Sequence, residues 1–311
     1  MISIILTTYN GERFIAEQID SILSQSYKDF RLFIFDDLST DNTFAIISDY
    51  ARRYPETVFI EQNAVNTGGA HHNFISQIVR VRNDYIMLCD QDDVWMDDKI
   101  ELTYERMLEM EQLHGRDTPL MVHTDLAVTN ENLHIVSESY KTMANLDYKF
   151  NRLNNLVAMN VATGCTIMYN RALAEHFTAA PDFMVMHDWW ISLVAATFGE
   201  IGSIEGQTVL YRQHELNSVG AKNVLSPRYI RYVLSNIGIM SGKLNDSYRQ
   251  TRSFLKIYSD QLNGVQLELL SAHAFMSRRS RFGKIVSLIK YNTFLCGFAR
   301  KVAQIIVILF G

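Results

Sequence analysis

The sequence predicts an α/β protein: a Rossmann-like, doubly wound, mostly parallel sheet followed by a C-terminal helical extension. Three observations predict it. Short apolar, β-rich runs alternate with segments of helical periodicity through the first third of the chain. Each run ends in polar or acidic turn residues, where a crossover to a helix can begin. After about Pro227 the pattern is helical throughout, and the charge changes sign.

The elements follow in order. Ser3–Thr7 (SIILT) is the first strand, and Asn10-Gly11 turns the chain. Phe14, Ile15, Ile19, Ile22 and Leu23 then recur at helical spacing. Phe30–Phe35 is the second strand and ends in Asp36-Asp37; Ser39 or Thr40 is expected to cap the helix FAIISDYARRY. Val58–Glu61 is the third strand, and Asn66–Gly69 is a loop before a helix that starts near His71-His72. Tyr85–Cys89 is the fourth strand, followed by Asp90, Asp92 and Asp93 and a helix over Met96–Met110, with Lys99 and Glu101 on its solvated face. Pro119–Val128 reads as a strand pair or hairpin start, Gly164–Tyr169 as a strand, residues 187–199 (HDWWISLVAATFG) as a helix and Thr208–Gln213 as a strand. Ligands of open α/β sheets bind beyond the carboxyl ends of the strands, so Thr7–Asn10, Asp36-Asp37, Asn66–Gly69 and Asp90–Asp93 should share one edge.

Composition bounds the function classes. The 311 residues are 48% hydrophobic and 20% charged, which is ordinary globular material and excludes low-complexity and collagen-like chains. The three cysteines are scattered, with no spacing for structural zinc, and reduced thiols in a cytosolic protein are expected. The start MISIILTTYN reads as a strand entering a turn and lacks the pattern of a secretory signal. From Lys222 onward there are 14 Lys+Arg against 3 Asp+Glu; residues 1–221 hold 15 and 31. An acidic body with a basic tail points to an anionic surface, membrane or nucleic acid. Residues 281–310 mix basic and apolar residues, and their longest apolar run, Ile305–Phe310, is too short to span a bilayer. They suit either a membrane surface or a helix–helix or oligomer interface.

The acidic residues carry the chemistry. Adjacent carboxylates repel unless water, a basic group or a metal compensates. Alternation puts Asp90 and Asp92 on one side, where Mg²⁺ or Mn²⁺ can be shared with a diphosphate; the plainer alternative is a solvated turn with Asp92 or Asp93 capping a helix. Asp37 can accept from a ribose or a base N–H, or cap a helix. Asp188, beside Trp189 and Trp190, can act as a general base with its pKa raised by the aromatic rings, or serve as an N-cap beside core tryptophans. His214 can bind metal and Arg212 phosphate oxygens, although a lone histidine is more often structural.

TTYNG, DDLSTDNT, NTGGA, CDQDDVW, ATGC, HDWW and YRQH occur in this order over roughly residues 1–220. Together they resemble bacterial family 2 inverting glycosyltransferases with the GT-A fold. The wording CDQDDVW, HDWW and YRQH is most similar to a rhamnosyltransferase-like branch of cell-wall and capsular polysaccharide synthesis. The resemblance implies a nucleotide-sugar pocket with Thr7, Tyr9 and Asp37 at the nucleoside, Asn66 and Gly68 near the nucleotide, and Asp90 near the ribose or donor sugar. It implies that Asp92 coordinates Mn²⁺ or Mg²⁺, that His214 completes the metal or diphosphate site and that Asp188 is the catalytic base. Gly164 and Cys165 would lie at the acceptor side, with Trp189 and Trp190 suited to sugar faces. It further implies a dTDP-β-L-rhamnose donor, with UDP-linked hexose or N-acetylhexosamine as alternatives. The acceptor would be a polyprenyl-diphosphate-linked glycan, reached from the cytoplasmic face of the inner membrane as a peripheral protein. Residues 1–221 would be the catalytic domain, its nucleotide-sugar half about 1–118 and its acceptor half about 119–221. Residues 222–311 would be the extension for membrane association or homo-oligomer formation.

Rival classes fit less well. The loop TTYNGER lacks the G-x-G-x-x-G of a nicotinamide dehydrogenase and the Gly-rich basic loop of a pyrophosphorylase. Glycosidase carboxylates do not explain Asp37 or the doubly wound order. The acidic body argues against a nucleic-acid partner. A catalytically silent scaffold is the strongest non-enzyme rival, and Asp92, Asp188 and His214 weigh against it.

Overall fold

The computed structural model describes residues 1–214 and 228–311. Along the chain come β1 (Ile2–Thr8), α1 (Ile15–Leu23), β2 (Phe30–Asp36), α2 (Thr43–Arg53), β3 (Val58–Gln62), α3 (Ala70–Ile78), β4 (Tyr85–Cys89), β5 (Val94–Trp95) and α4 (Lys99–His114). Next are β6 (Leu120–Thr129), β7 (Ile135–Ser137), the short helices α5 (Tyr140–Met143) and α6 (Leu153–Leu156), β8 (Ile167–Asn170), the short α7 (Arg171–Ala174), α8 (His187–Phe198) and β9 (Glu200–Arg212). From Arg228 the elements are helical: α9 (Arg228–Ser235), α10 (Ile237–Tyr258), α11 (Gly264–Ala274), α12 (Arg281–Tyr291) and α13 (Phe298–Phe310).

The strands form one sheet in the order β3-β2-β1-β4-β8-β6-β9-β5, with β7 on the end of β6. The block from β3 to β4 is parallel. β8 is antiparallel to both β4 and β6, whereas β6 and β9 run parallel. β1 and β4 are buried along their whole lengths, as strands covered on both faces must be, and their apolar runs reflect this. Parallel pairing sets Thr8, Asp36 and Cys89 at one edge, so the loops that follow them gather there.

Departures from the sequence reading have local causes. Pro119–Val128 is not a strand pair but the start of a hairpin: Leu120–Thr129 is one strand with every position buried, its polar centre, His123-Thr124-Asp125, lies inside, and its end pairs antiparallel with β7. Gly164–Thr166 is a 3₁₀ turn, and the strand begins only at Ile167. The last strand starts eight residues earlier than expected, at Glu200, and its register against β6 shifts around Asp125. The two-residue β5 is recognisable only through its pairing with Val209–Leu210. It delays α4 to Lys99, and no side chain caps that helix.

The described residues fall into two compact units. The first holds Met1–Tyr140, Ala162–Ala180 and 198–214; the second holds Lys141–Val161, Pro181–Thr197 and 228–311. In the second unit, Tyr248, Met276, Leu288 and Ile308 form one core cluster, and Val233, Ala303 and Val307 form another. The buried Arg300 donates to the carbonyls of Ala144, Asn145 and Cys296, tying an earlier segment to α13.

Two buried histidines set a pH response. Burial pushes His123 on β6 down to about 4 and His273 on α11 down to about 3. The unfolded chain therefore binds more protons than the native one as pH falls below about 6.5, and stability must fall with it. Each histidine should cost about 2 kcal/mol between roughly pH 6.5 and 5. Urea unfolding across that range should show a falling midpoint; a flat midpoint would contradict neutral burial.

Candidate active site

The strand ends build the site in the first unit. Asp37 follows β2, is almost fully buried, and organises the loop after β3. Its carboxylate accepts from Asn63 Nδ2 at 2.8 Å, Thr67 N at 2.9 Å and Thr67 Oγ1 at 2.8 Å. Asn66 donates to the Asp37 carbonyl at 2.7 Å and accepts from Gly68 N at 2.9 Å. Gly68 sits at φ +85°, a left-handed backbone that suits glycine. Thr67 N also reaches Oδ2 at 3.1 Å, so the about four acceptor sites of the carboxylate are already engaged and a ligand N–H would displace one of these donors. Neither Ser39 nor Thr40 caps α2: Ser39 bonds Asp36 instead, and the N-cap of α2 is Asn42.

Thr7 is buried on β1, and Tyr9 is exposed at the edge. Gln91, the middle residue of Asp-Gln-Asp, joins this loop to the acidic one. Its Oε1 accepts from Thr8 Oγ1 at 2.6 Å and Tyr9 N at 2.9 Å, and its Nε2 donates to Tyr9 O at 3.1 Å. Gly11 leaves room for that contact; a Cβ there would come within 2.4 Å of Gln91 Oε1. The sequence offered no sign of this role, because a turn glutamine looks solvated.

The acids divide into two environments. Asp92 Oδ2 lies 2.9 Å from His214 Nε2. The His214 ring stacks on Phe14, with centroids 4.9 Å apart. The Arg212 guanidinium lies 4.6 Å from the Phe14 ring centroid. It donates to the carbonyls of Asp92 and Glu131 and pairs with Glu17. This guanidinium, expected on phosphate oxygens, thus binds the acidic loop and α1 together.

Asp90, Asp93 and Cys165 form the other group, with potential ligand atoms within 4.8 Å of one another. Burial, then the charges of Asp92 and Asp90, pushes the Asp93 carboxyl well above the carboxylate range. Burial likewise raises the Cys165 thiol, which lies with Gly164 in the 3₁₀ turn. Cys165 is therefore placed beside the acids, and it enters as a thiol. Mg²⁺ and Mn²⁺ take carboxylate oxygens, which Asp90 and Asp93 offer, whereas the Cys165 thiol suits such hard ions poorly. Asp92 and His214, hydrogen-bonded to each other, bring together a carboxylate oxygen and an imidazole nitrogen, both donor types that Mn²⁺ would take.

Lys99 corrects the expectation of a solvated side chain. It is fully buried, its Nζ 4.7 Å from the Trp95 ring centroid and 3.4 Å from Thr208 Oγ1. Burial lowers its pKa to about 8. The pairing of β5 with β9 covers it, a long-range event invisible in helical periodicity. Glu101 does remain exposed.

Asp188, Trp189 and Trp190 belong to the second unit. Asp188 is half-buried in the first turn of α8, where its Oδ1 accepts from Trp189 N at 2.5 Å. Trp190 is a core residue, fully buried against Phe254 and Tyr258, which overturns its expected place on an acceptor sugar. Trp189 is half-buried and donates its indole N–H to Leu156 O.

Comparison with known proteins bears on this arrangement. The profile of glycosyl transferase family 2 matches residues 3–177. The chain is 32% identical over 230 residues to the dTDP-rhamnosyl transferase RfbG of Shigella flexneri, covering 73% of this chain and 77% of that one. Staphylococcus aureus TarS 1–349, solved with UDP-GlcNAc, superposes with TM-score 0.54 at 15% identity, covering 98% and 90%. The mannosyltransferase PcManGT of Pyrobaculum calidifontis, solved with GDP-Man and Mn²⁺, gives TM-score 0.52 at 15% identity, covering 99% and 85%. The fold is therefore GT-A, and the sequence match extends through the strands that carry Asp37, the acidic loop and Cys165. The chain belongs to glycosyl transferase family 2 and is a glycosyltransferase.

Proposed function

We propose that the chain is a metal-dependent, inverting rhamnosyltransferase, moving L-rhamnose from dTDP-β-L-rhamnose to a lipid-linked intermediate of a cell-surface polysaccharide. The observation that carries the metal site is the 2.9 Å approach of Asp92 Oδ2 to His214 Nε2 on an ordered Phe14–Arg212 platform. The similarity to a dTDP-rhamnosyl transferase over 73% of the chain supports the sugar. Asp92 and His214 would hold Mn²⁺ or Mg²⁺, which when bound supplies positive charge to the departing nucleoside diphosphate.

The chain's own residues do the rest. Asp37 takes a base N–H, with Thr7 and Tyr9 at the nucleoside and Asn66 and Gly68 shaping the loop beside it. Asp90 orients the ribose or donor sugar. Asp188 removes the proton from an acceptor hydroxyl as that oxygen attacks the anomeric carbon, and a single displacement inverts the configuration. A polyprenyl-diphosphate acceptor brings the protein to the cytoplasmic face of the membrane as a peripheral enzyme, residues 1–221 supplying catalysis and 222–311 attachment. Among the described residues, no helix is long and apolar enough to cross a membrane.

Calorimetry of dTDP-rhamnose with and without Mn²⁺, beside UDP-sugars, tests the reading. Metal-dependent binding selective for dTDP-rhamnose is expected. Binding of a UDP-sugar alone would discard rhamnose and keep the transferase. Folded protein that binds no donor would favour a silent scaffold.

A further inference from the structure

We infer that the outer face of α12, with the arginine turn before it, is the surface that docks on an anionic phospholipid bilayer. This deepens the membrane part of the proposed function and is independent of the donor sugar. The inner face of α12 is already satisfied: Leu288 sits in the core cluster with Tyr248, Met276 and Ile308, and Ile285 packs against it. The opposite face carries Phe282, Val286 and Ile289, which are 78%, 47% and 65% exposed. At 100° per residue these three fall within a stripe about 60° wide. Arg281 and Lys290 flank that stripe, roughly 100° and 80° from Phe282.

The charge around the stripe selects the occupant. Residues 269–311 contain seven Lys+Arg and no Asp or Glu. Arg278, Arg279 and Arg281 are exposed, and Arg278 lies 4.7 Å from the ring centroid of Phe275, itself exposed. The preceding acid, Glu268, is paired with Lys290 and bonded by Tyr291. Single apolar residues set among cations, with Glu268 at their edge already paired with Lys290, complement an anionic headgroup region, whereas a second copy would bring the same cations against them. Phe and Ile enter the headgroup–acyl boundary while arginines hold lipid phosphates.

Co-sedimentation of the full chain with vesicles tests this, using phosphatidylcholine alone and phosphatidylcholine with one third phosphatidylglycerol. Binding is expected only to the anionic vesicles and should weaken as salt rises. The double variant Phe282→Glu/Ile289→Glu should lower the partition about tenfold or more, and Arg279→Glu/Arg281→Glu should do the same. These side chains are exposed, so circular dichroism should report unchanged folding. Donor binding measured on the same variants should also be unchanged, which separates failure of this face from failure of the transferase reading. Wild-type protein that ignores anionic vesicles overturns the inference, as do variants that bind them as well as wild type. A dimer in light scattering that the variants dissociate, without vesicle binding, also overturns it and makes this face an interface between copies.

Discussion

Asp188→Asn is expected to lower kcat by about 10²–10⁴-fold while donor affinity stays within about twofold. The amide matches the carboxylate in size, and its oxygen can still accept from Trp189 N, so the first turn of α8 should keep its geometry. What it loses is the ability to take a proton. If Asp188 is the base, the loss falls on the chemical step, and the acid limb of the pH–rate profile flattens in the residual activity. If Asp188 merely caps α8, the variant loses thermal stability instead and the rate per folded molecule survives. Rates normalised to folded protein, with calorimetric donor binding, separate the two. Wild-type kcat in folded Asp188→Asn protein would remove this residue from catalysis.

The parallel half of the sheet was legible because its signals are local. β1, β2, β3 and β4 are short apolar runs closed by Asn, Asp or Gly, and each lies where the pattern put it. The family and the GT-A fold were legible from motif order. What failed was decided at long range. The central polar triplet of β6 breaks alternation, yet burial between β8 and β9 holds it in a strand. Lys99 has the spacing of a surface lysine and is buried because a two-residue strand pairs over it. Trp190 stands beside Asp188 in sequence, but helical geometry sends the two side chains different ways, one to the core. Phe14, Glu17 and Gln91 gave no chemical signal at all. Phe14 reads as an ordinary apolar helix position, and only contact with Arg212 and His214 reveals it as a platform. Candidate ligands were thus readable from residue type, whereas the groups that orient them were not.

That distinction shapes the second large effect. Asp92→Asn and His214→Ala should each weaken Mn²⁺ binding by more than the about 10–100-fold that loss of an outer-shell partner costs. Each removes one of two side chains proposed to touch the ion, and the remaining one cannot chelate alone. Arg212→Lys is the informative companion. Lysine keeps the charge but loses the planar fork that now reaches the Asp92 carbonyl, the Glu131 carbonyl and Glu17 while lying over Phe14. It should fall within the outer-shell range, with metal affinity reduced because Asp92 and His214 are less well held. Calorimetric or electron-paramagnetic titration of Mn²⁺ reads this without turnover. The order expected is wild type, then Arg212→Lys, then the two ligand variants. A different order is diagnostic. If Arg212→Lys binds Mn²⁺ like wild type but loses nucleotide, Arg212 acts on phosphate after all. If Asp92→Asn keeps full Mn²⁺ affinity, the ion belongs to Asp90, Asp93 and Cys165, and Asp93, whose pKa burial raises, must be ionised to receive it. Ion binding would then release a proton from Asp93, and Mn²⁺ affinity would rise with pH across the range where that carboxyl titrates. Loss of Mn²⁺ affinity in both Asp92→Asn and His214→Ala leaves that pair as the metal site whatever the pH dependence, because a histidine ligand must itself be deprotonated.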